Sequence, residues 1–508
     1  MTRRTRLALV VIAAAFAVRA AIVLWASSRI GPTADGTFYN VIGARIAQGL
    51  GYTWLWPDGA VTNAGHYPIG YPALVGLAYT LLGTHPSSAM WANAALGTSA
   101  AFAAFRAGEQ AGGERAALAA GLLTALHPGL VLYTPALMTE GVTAALVLIA
   151  AALAIEGSAR PNPSYKWPAL AGVVMGLATL VRPQSLLLAP ILGLLAVSRG
   201  ASSPRVRRSV AALLALAAAL AVCTPWTIRN CVHMKRCALV SHNGGWNLLI
   251  GTDASAGGSW APVKVPPECR EVFDEAEKDV CFGAAARREI AEHPLRWLAL
   301  APQKWAVTFN YAGAGPWYLN ASNPQAFSDK DKTAWGGVEI VFERAALAAA
   351  IGVVAFPFVR RTIRDLRRRP RSISPRDLAV ILLALLGFVA AFSLHAWVSF
   401  FVGGPLFWLG ASWLAHSAAP SPDRSASLPP GRTTLLLVSG AVLASLVITH
   451  AVFFGAGRYS LVAFPFVTTV AALAFSQRPR ATPKAEGPDG EQTRSRGQSP
   501  NTKRDLGL

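Results

Sequence analysis

The sequence predicts an all-α polytopic membrane protein of about twelve helical segments, and three observations lead there. Of 508 residues, 53% are hydrophobic and only 14% charged, with a mean hydropathy of +0.39, whereas soluble domains carry about 25% charged residues. Apolar runs of about 18 residues or more, enough to cross a hydrocarbon core of about 30 Å, recur from end to end. The basic residues behind the net charge of +20 lie between these runs, where they set membrane orientation. They do not cluster beside an aromatic-lined soluble face, so nucleic acid is not an expected partner.

The first run, residues 7–28, follows Arg3, Arg4 and Arg6 in the manner of a secretory signal. It is too long for a signal core and lacks a convincing cleavage site, so a retained span with a cytoplasmic N-terminus is expected. A polar, aromatic, Gly- and Pro-rich outer loop follows over 29–68. Residues 68–83 suit a shorter helix on the membrane surface. Next come a span over 89–105, a short loop bearing Arg106 and Arg115, a span ending near Tyr133, and another from Glu140 to before Arg160. The stretch 167–198 is interrupted by Arg182-Pro183. As one crossing it would put Arg199, Arg205, Arg207 and Arg208 outside, together with the run 360–376, against the positive-inside rule. Two short spans with Arg182 at the outer turn are therefore expected.

A span over 210–224 then leads to the largest polar region, 225–337, also placed outside. Further spans are expected at 338–359, 378–394, 398–414, 435–450 and 461–475. The membrane domain thus covers 1–476, and residues 477–508, rich in Arg, Lys, Pro, Gly and Ser, suit a disordered basic cytoplasmic tail. Ala- and Arg-rich usage points to a bacterium. The expected location is its plasma (inner) membrane, with the polar regions facing the periplasm or exterior.

Four of the five cysteines, Cys231, Cys237, Cys269 and Cys281, fall in 225–337. An even number in a region placed outside suggests two disulfides. Of three connectivities, nearest-neighbour pairing is the expectation, and four free thiols are the alternative. No CxxC spacing is present, and no metal site is expected.

Soluble-enzyme signatures such as GxxxxGK, HExxH and GxSxG are missing. What remains is polar residues at the outer ends of spans, where ionisable groups are costly and are functional candidates by default. Asp35 opens a short amphipathic helix with Phe38, Ile42 and Ile46 on one face, ending near Gly49. It suits a general base, or an ordinary helix cap. Glu140 begins a span at the same level, with capping through Thr139 as the alternative. Arg182 and Arg458 are outer cations whose planar fork suits phosphate, or they snorkel to lipid headgroups. Arg229 carries a weaker version of the same argument. Arg19, inside the first span, either pairs with an acid or reaches a polar pocket. Tyr39, His66, Tyr67, Asn243 and Tyr459 are candidates for substrate contacts, Asn243 within a loop of turn formers around Trp246.

Taken in order, Asp35-Gly-Thr-Phe-Tyr39, Gly49-Leu-Gly-Tyr52, Tyr67-Pro-Ile-Gly-Tyr-Pro72, Met138-Thr-Glu140, Arg182-Pro183, Thr224-Pro-Trp226 and Arg458-Tyr459 form a recognisable series. It resembles the GT-C class of polytopic glycosyltransferases, specifically the protein O-mannosyltransferase and lipid A aminoarabinose transferase superfamily. The resemblance implies a GT-C-like helix bundle with extracytoplasmic juxtamembrane helices, Asp35 as the catalytic aspartate and Glu140 as the second acidic position. It also implies a polyprenyl-phosphate sugar as donor and inversion at the anomeric centre. Two departures stand out. Gly36 follows the aspartate where many relatives carry a second acid, and His66-Tyr67 replaces the Glu-Lys pair of aminoarabinose transferases. No cofactor is required by this reading, and a divalent metal stays open. The acceptor, whether protein, lipid or glycan, is not specified. A lipid-linked-sugar transporter or flippase and an oligosaccharide polymerase or ligase are the rival readings.

Overall fold

The computed structural model describes residues 1–197, 204–310, 313–368, 375–393 and 430–476. Helix α1 (Arg3–Ala26) starts where the Thr2 hydroxyl accepts from the Thr5 N–H. A short helix α2 (Asp35–Ala47) precedes a two-stranded antiparallel ribbon, β1 (Thr53–Leu55) and β2 (Val61–Asn63), with Thr53 opposite Asn63. Then come α3 (Gly70–Leu82), α4 (Pro86–Gly112), α5 (Glu114–Ala125), α6 (Pro128–Leu132), α7 (Thr139–Ala159), α8 (Lys166–Val181), α9 (Ala189–Leu195) and α10 (Pro204–His233). Short helices α11 (Gly244–Ile250), α12 (Glu275–Glu292), α13 (Pro294–Ala299), α14 (Ala301–Phe309) and α15 (Ala314–Ser322) fill the segment before α16 (Asp329–Arg368) and α17 (Pro375–Phe392). Helix Pro430–Val452 and a broken helical stretch, Gly457–Val462 with Phe464–Ala471, close the described chain.

Among the described residues, five helices are long and apolar enough to cross a membrane, and five shorter apolar ones accompany them, as befits a multi-pass membrane protein. The central one is α7, with 78% of its most apolar window buried. In lipid there is little hydrophobic drive between helices, so association relies on close backbone approach over small residues. The Gly172-x-x-x-Gly176 pair on α8 shows this. A Cβ at Gly172 would lie 2.4 Å from the Ala215 carbonyl of α10, and one at Gly176 would lie 2.8 Å from that of Ala219. Arg19 is buried yet meets no acid among the described residues. Its guanidinium donates to the Ala125 carbonyl at 2.9 Å and the Ala15 carbonyl at 3.1 Å, so it sits against the negative C-terminal end of α5.

The break expected at Arg182-Pro183 is present. The pyrrolidine ring disfavours helical geometry at the preceding residue; Arg182 is extended (φ −142°, ψ 108°) and ends α8 before a 3-10 turn, Pro183–Leu188. Other boundaries differ from expectation. Arg106 is not in a loop but on α4, bonded to Glu109 and Glu156, and the turn to α5 is made at Gly113 with φ +81°. Helix α10 runs through Pro225 to His233, because one lost N–H does not end a helix packed against α8 and α9. The β ribbon was not expected from the sequence. The span expected at 398–414 and the tail from 477 lie outside the described residues.

Disulfides join Cys231 to Cys237 and Cys269 to Cys281, and Cys223 is a buried free thiol. The four paired cysteines should therefore resist alkylation in native protein until reduced, and Cys223 should label only on unfolding, as peptide mass spectrometry can read. Free labelling of all four before reduction would contradict both bridges. Replacing the Cys269–Cys281 pair should cost about 2–5 kcal/mol.

Candidate active site

The site forms where four distant segments meet. Asp35 is the first residue of α2, delivered by Ala34, whose φ of +50° with ψ −135° is a conformation rarely adopted outside glycine. Its carboxylate caps nothing. Oδ1 accepts from the Tyr67 hydroxyl at 3.3 Å and Oδ2 from Arg458 Nη2 at 3.0 Å, so the cap-only alternative is set aside. Position 36 has no room for a second acid. A Cβ there would lie 2.8 Å from the Tyr318 hydroxyl and 2.9 Å from the Leu137 carbonyl.

Glu140, on the first turn of α7, is fully buried and caps nothing either. Oε1 accepts from Arg182 Nη2 at 2.9 Å and lies 3.2 Å from Arg458 Nε, while Oε2 accepts from the Tyr133 hydroxyl at 2.8 Å. The charges therefore alternate: Asp35, Arg458, Glu140, Arg182. The Arg182 guanidinium lies 4.4 Å over the Tyr459 ring, which stacks on His450 at 4.6 Å. Both arginines are held by acids, with further N–H donors that have no partner among the described residues.

Tyr67 packs on Phe38, Tyr39 and Trp54. Burial, and then the Asp35 charge, push its pKa up, so the phenol keeps its proton and donates to Asp35. His66 stands edge-on to Tyr67 and Trp246, and burial lowers its pKa, favouring the neutral ring. Both residues line a cavity of about 990 Å³ walled by Phe38, Trp54, Trp56 and Trp246. Tyr39 is buried in the aromatic packing, edge-on to Tyr67 and Tyr71, with its phenol within electrostatic reach of Asp35, Glu140 and Arg458.

Two expected site residues lie elsewhere. Arg229 is engaged by backbone carbonyls, away from the Asp35–Arg458–Glu140–Arg182 array. Its guanidinium donates to the carbonyls of Ala64 at 2.6 Å and Tyr52 at 2.9 Å and rests on the Tyr52 and Trp226 rings, which pins the first loop. Asn243 occupies the N-cap position of α11 and bonds Ser241. The residues that sequence reasoning missed are a tyrosine and an acid acting at long range. The Tyr318 hydroxyl accepts from the Thr33 and Leu137 N–H groups, joining the Asp35 loop to the approach to α7. Glu275 accepts from the Gly65 N–H at 2.6 Å and from Trp54 Nε1 at 3.3 Å. No local pattern marks either, since their partners are more than 180 residues away. Among the described residues, only Glu289, Glu292 and His293 place donor atoms close enough to share a metal ion; they lie at the far end of α12 from Glu275.

Residues 66–228 match the family model described as dolichyl-phosphate-mannose-protein mannosyltransferase. The resemblance read from the sequence is borne out. The matched segment contains Tyr67, Glu140 and Arg182, while Asp35 and Arg458 lie outside it. Among solved structures the chain is similar to the oligosaccharyltransferase AglB from Archaeoglobus fulgidus in complex with an inhibitory peptide and a dolichol-phosphate. That match has 14% identity and a TM-score of 0.43, over 92% of this chain and 50% of that one. It is also similar to ArnT from Cupriavidus metallidurans, in the apo state (16% identity, TM-score 0.36, 94% of this chain and 78% of that one) and bound to undecaprenyl phosphate (14%, 0.35, 92% and 77%). The chain spans about half the length of the archaeal enzyme. No curated protein sequence matches it.

Glu140 anchors both arginines from a fully buried position. Removing one partner of a buried ion pair typically costs about 3–5 kcal/mol. Glu140→Ala should therefore lower the melting temperature of the detergent-solubilised protein markedly, and Glu140→Gln, which keeps one acceptor oxygen, should do so less. Equal melting of wild type and Glu140→Ala would remove Glu140 as the anchor.

Proposed function

We propose that this chain is an inverting glycosyltransferase that moves a sugar from a polyprenyl-phosphate donor to an acceptor hydroxyl at the extracytoplasmic face of a bacterial plasma membrane. The observation that carries the reading is the Asp35 carboxylate, held between Tyr67 and Arg458 beside a second arginine with unused donors and next to a large aromatic-walled cavity. The description of the matching family names a dolichyl-phosphate sugar, which is donor chemistry of the same kind. The reading keeps about twelve crossings, both termini cytoplasmic and a hexosyl or pentosyl donor.

In this mechanism Asp35 takes the proton of the acceptor hydroxyl. The acceptor oxygen bonds to the anomeric carbon from the face opposite the phosphate, and the bond from that carbon to the phosphate oxygen breaks with its electron pair. Polyprenyl phosphate leaves as an anion, met by Arg182 and Arg458. Cations already aimed at developing charge need no reorganisation when it appears, which makes such pairs effective. Glu140 acts through the arginines and touches neither substrate. Aromatic faces in the cavity, those of Trp54 and Trp246 among them, suit the C–H faces of a sugar.

Asp35→Asn tests the base, since it keeps the size and removes the proton acceptor. The variant should fold and bind donor at least as well as wild type, yet transfer sugar at least about a hundredfold more slowly. Wild-type turnover in well-folded Asp35→Asn protein would sink the assignment. Arg182→Ala should weaken donor binding, and Arg182→Lys should restore it only in part, because an ammonium lacks the bidentate fork. Unchanged donor affinity in the alanine variant would return Arg182 to a purely structural role.

A further inference from the structure

We infer that Arg458 is an exchangeable cation, paired with the Asp35 carboxylate while the site is without phosphate and transferred to the lipid phosphate during reaction. This rests on the glycosyl-transfer reading and adds a coupling between its two halves. Among the described residues, Arg458 is the single cation shared by the two acids: Nη2 bonds Asp35 at 3.0 Å, and Nε lies 3.2 Å from Glu140. Its two contacts differ in kind. Glu140 is fully buried, fastened also by Arg182 and Tyr133, and part of the first turn of α7, so it stays in place. The Asp35 side chain keeps 31% of its surface exposed, and that of Arg458 keeps 24%. The Asp35–Arg458 contact is therefore the half of the array that solvent, or a competing anion, can reach.

A phosphate oxygen offers the guanidinium the same charge-assisted hydrogen bond as a carboxylate oxygen. Bound phosphate and ionised Asp35 thus compete for one group. When Asp35 accepts the acceptor's proton, its negative charge disappears. The pull on Arg458 falls at the moment that charge builds on the departing phosphate oxygen. Atoms and electrons balance: the proton moves from acceptor oxygen to Asp35, the C–O bond to the acceptor forms, and the C–O bond to the phosphate breaks toward phosphate. Arg458 changes partner with its own protons retained. Glu140 supplies the fixed pivot, so the guanidinium has to swing rather than travel.

The test needs no acceptor and no knowledge of the sugar. Farnesyl phosphate, with farnesol as the control lacking phosphate, is titrated against the full-length protein in detergent, and binding is followed by thermal shift and native mass spectrometry. Asp35→Asn removes the competing charge and should bind farnesyl phosphate about tenfold or more tightly than wild type does, the scale of one charge-assisted hydrogen bond. Farnesol binding should not change. In the Arg458→Gln background the same Asp35→Asn change should give no such gain, because the exchanged cation is absent. A gain that persists there shows plain repulsion between Asp35 and phosphate and overturns the exchange. Equal or weaker binding by Asp35→Asn overturns it as well, with the donor reading left standing. Failure of wild type to bind farnesyl phosphate at all removes the donor reading, and the exchange with it.

Discussion

Two carboxylates and two guanidiniums, drawn from positions 35, 140, 182 and 458, must neutralise one another at one end of a helix bundle. Everything else in the site depends on that. A charge buried in a poorly polarisable interior costs several kcal/mol unless it is paired and hydrogen-bonded. Glu140 meets this demand with three partners, two arginines and the Tyr133 hydroxyl. Those contacts fix the start of α7 against the turn after α8 and against the Gly457–Val462 turn. Asp35, less buried and bound through one ion pair and one phenol, is the group left with freedom to react.

A second set of contacts carries the first loop to this array. Tyr318 bridges the Thr33 and Leu137 backbones, Arg229 grips the Tyr52 and Ala64 carbonyls, and Glu275 holds Gly65 and Trp54. Each is a side chain satisfying backbone groups of a loop that has little regular structure of its own. Loops exposed to solvent otherwise lack fixed partners for those groups. The Cys269–Cys281 bridge encloses the start of α12 and so steadies Glu275. The region between α10 and α16 therefore serves as a frame for the site rather than as a separate module.

Beneath the site, composition and packing are one fact seen twice. The alanine and glycine content lets helices approach closely, as at Gly172 and Gly176 against α10. Close contact of rigid helices then gives the charged residues at their ends a fixed geometry, which is what preorganised catalysis needs. The α16 helix adds two buried glutamates, Glu339 and Glu343, beside His127, a polar element within the bundle outside the proposed chemistry.

Much was legible in the sequence because the membrane makes strong local demands. Long apolar runs, the break at Arg182-Pro183 and the short helix opened by Asp35 follow from local pattern and are present, whereas which of three disulfide pairings forms was decided by the structure. Asp35, Glu140, Arg182 and Arg458 were recognisable as costly charges at span ends. Their pairing was not, because it depends on how segments up to 423 residues apart meet in space. The same limit hid the roles of Tyr318 and Glu275 and the backbone contacts of Arg229. The residues alone determined which charges the chain carries to the end of its bundle. Only the packing of the helices decided which acid each arginine answers, because a charge-assisted hydrogen bond forms only once donor and acceptor stand about 3 Å apart, and folding brings them there.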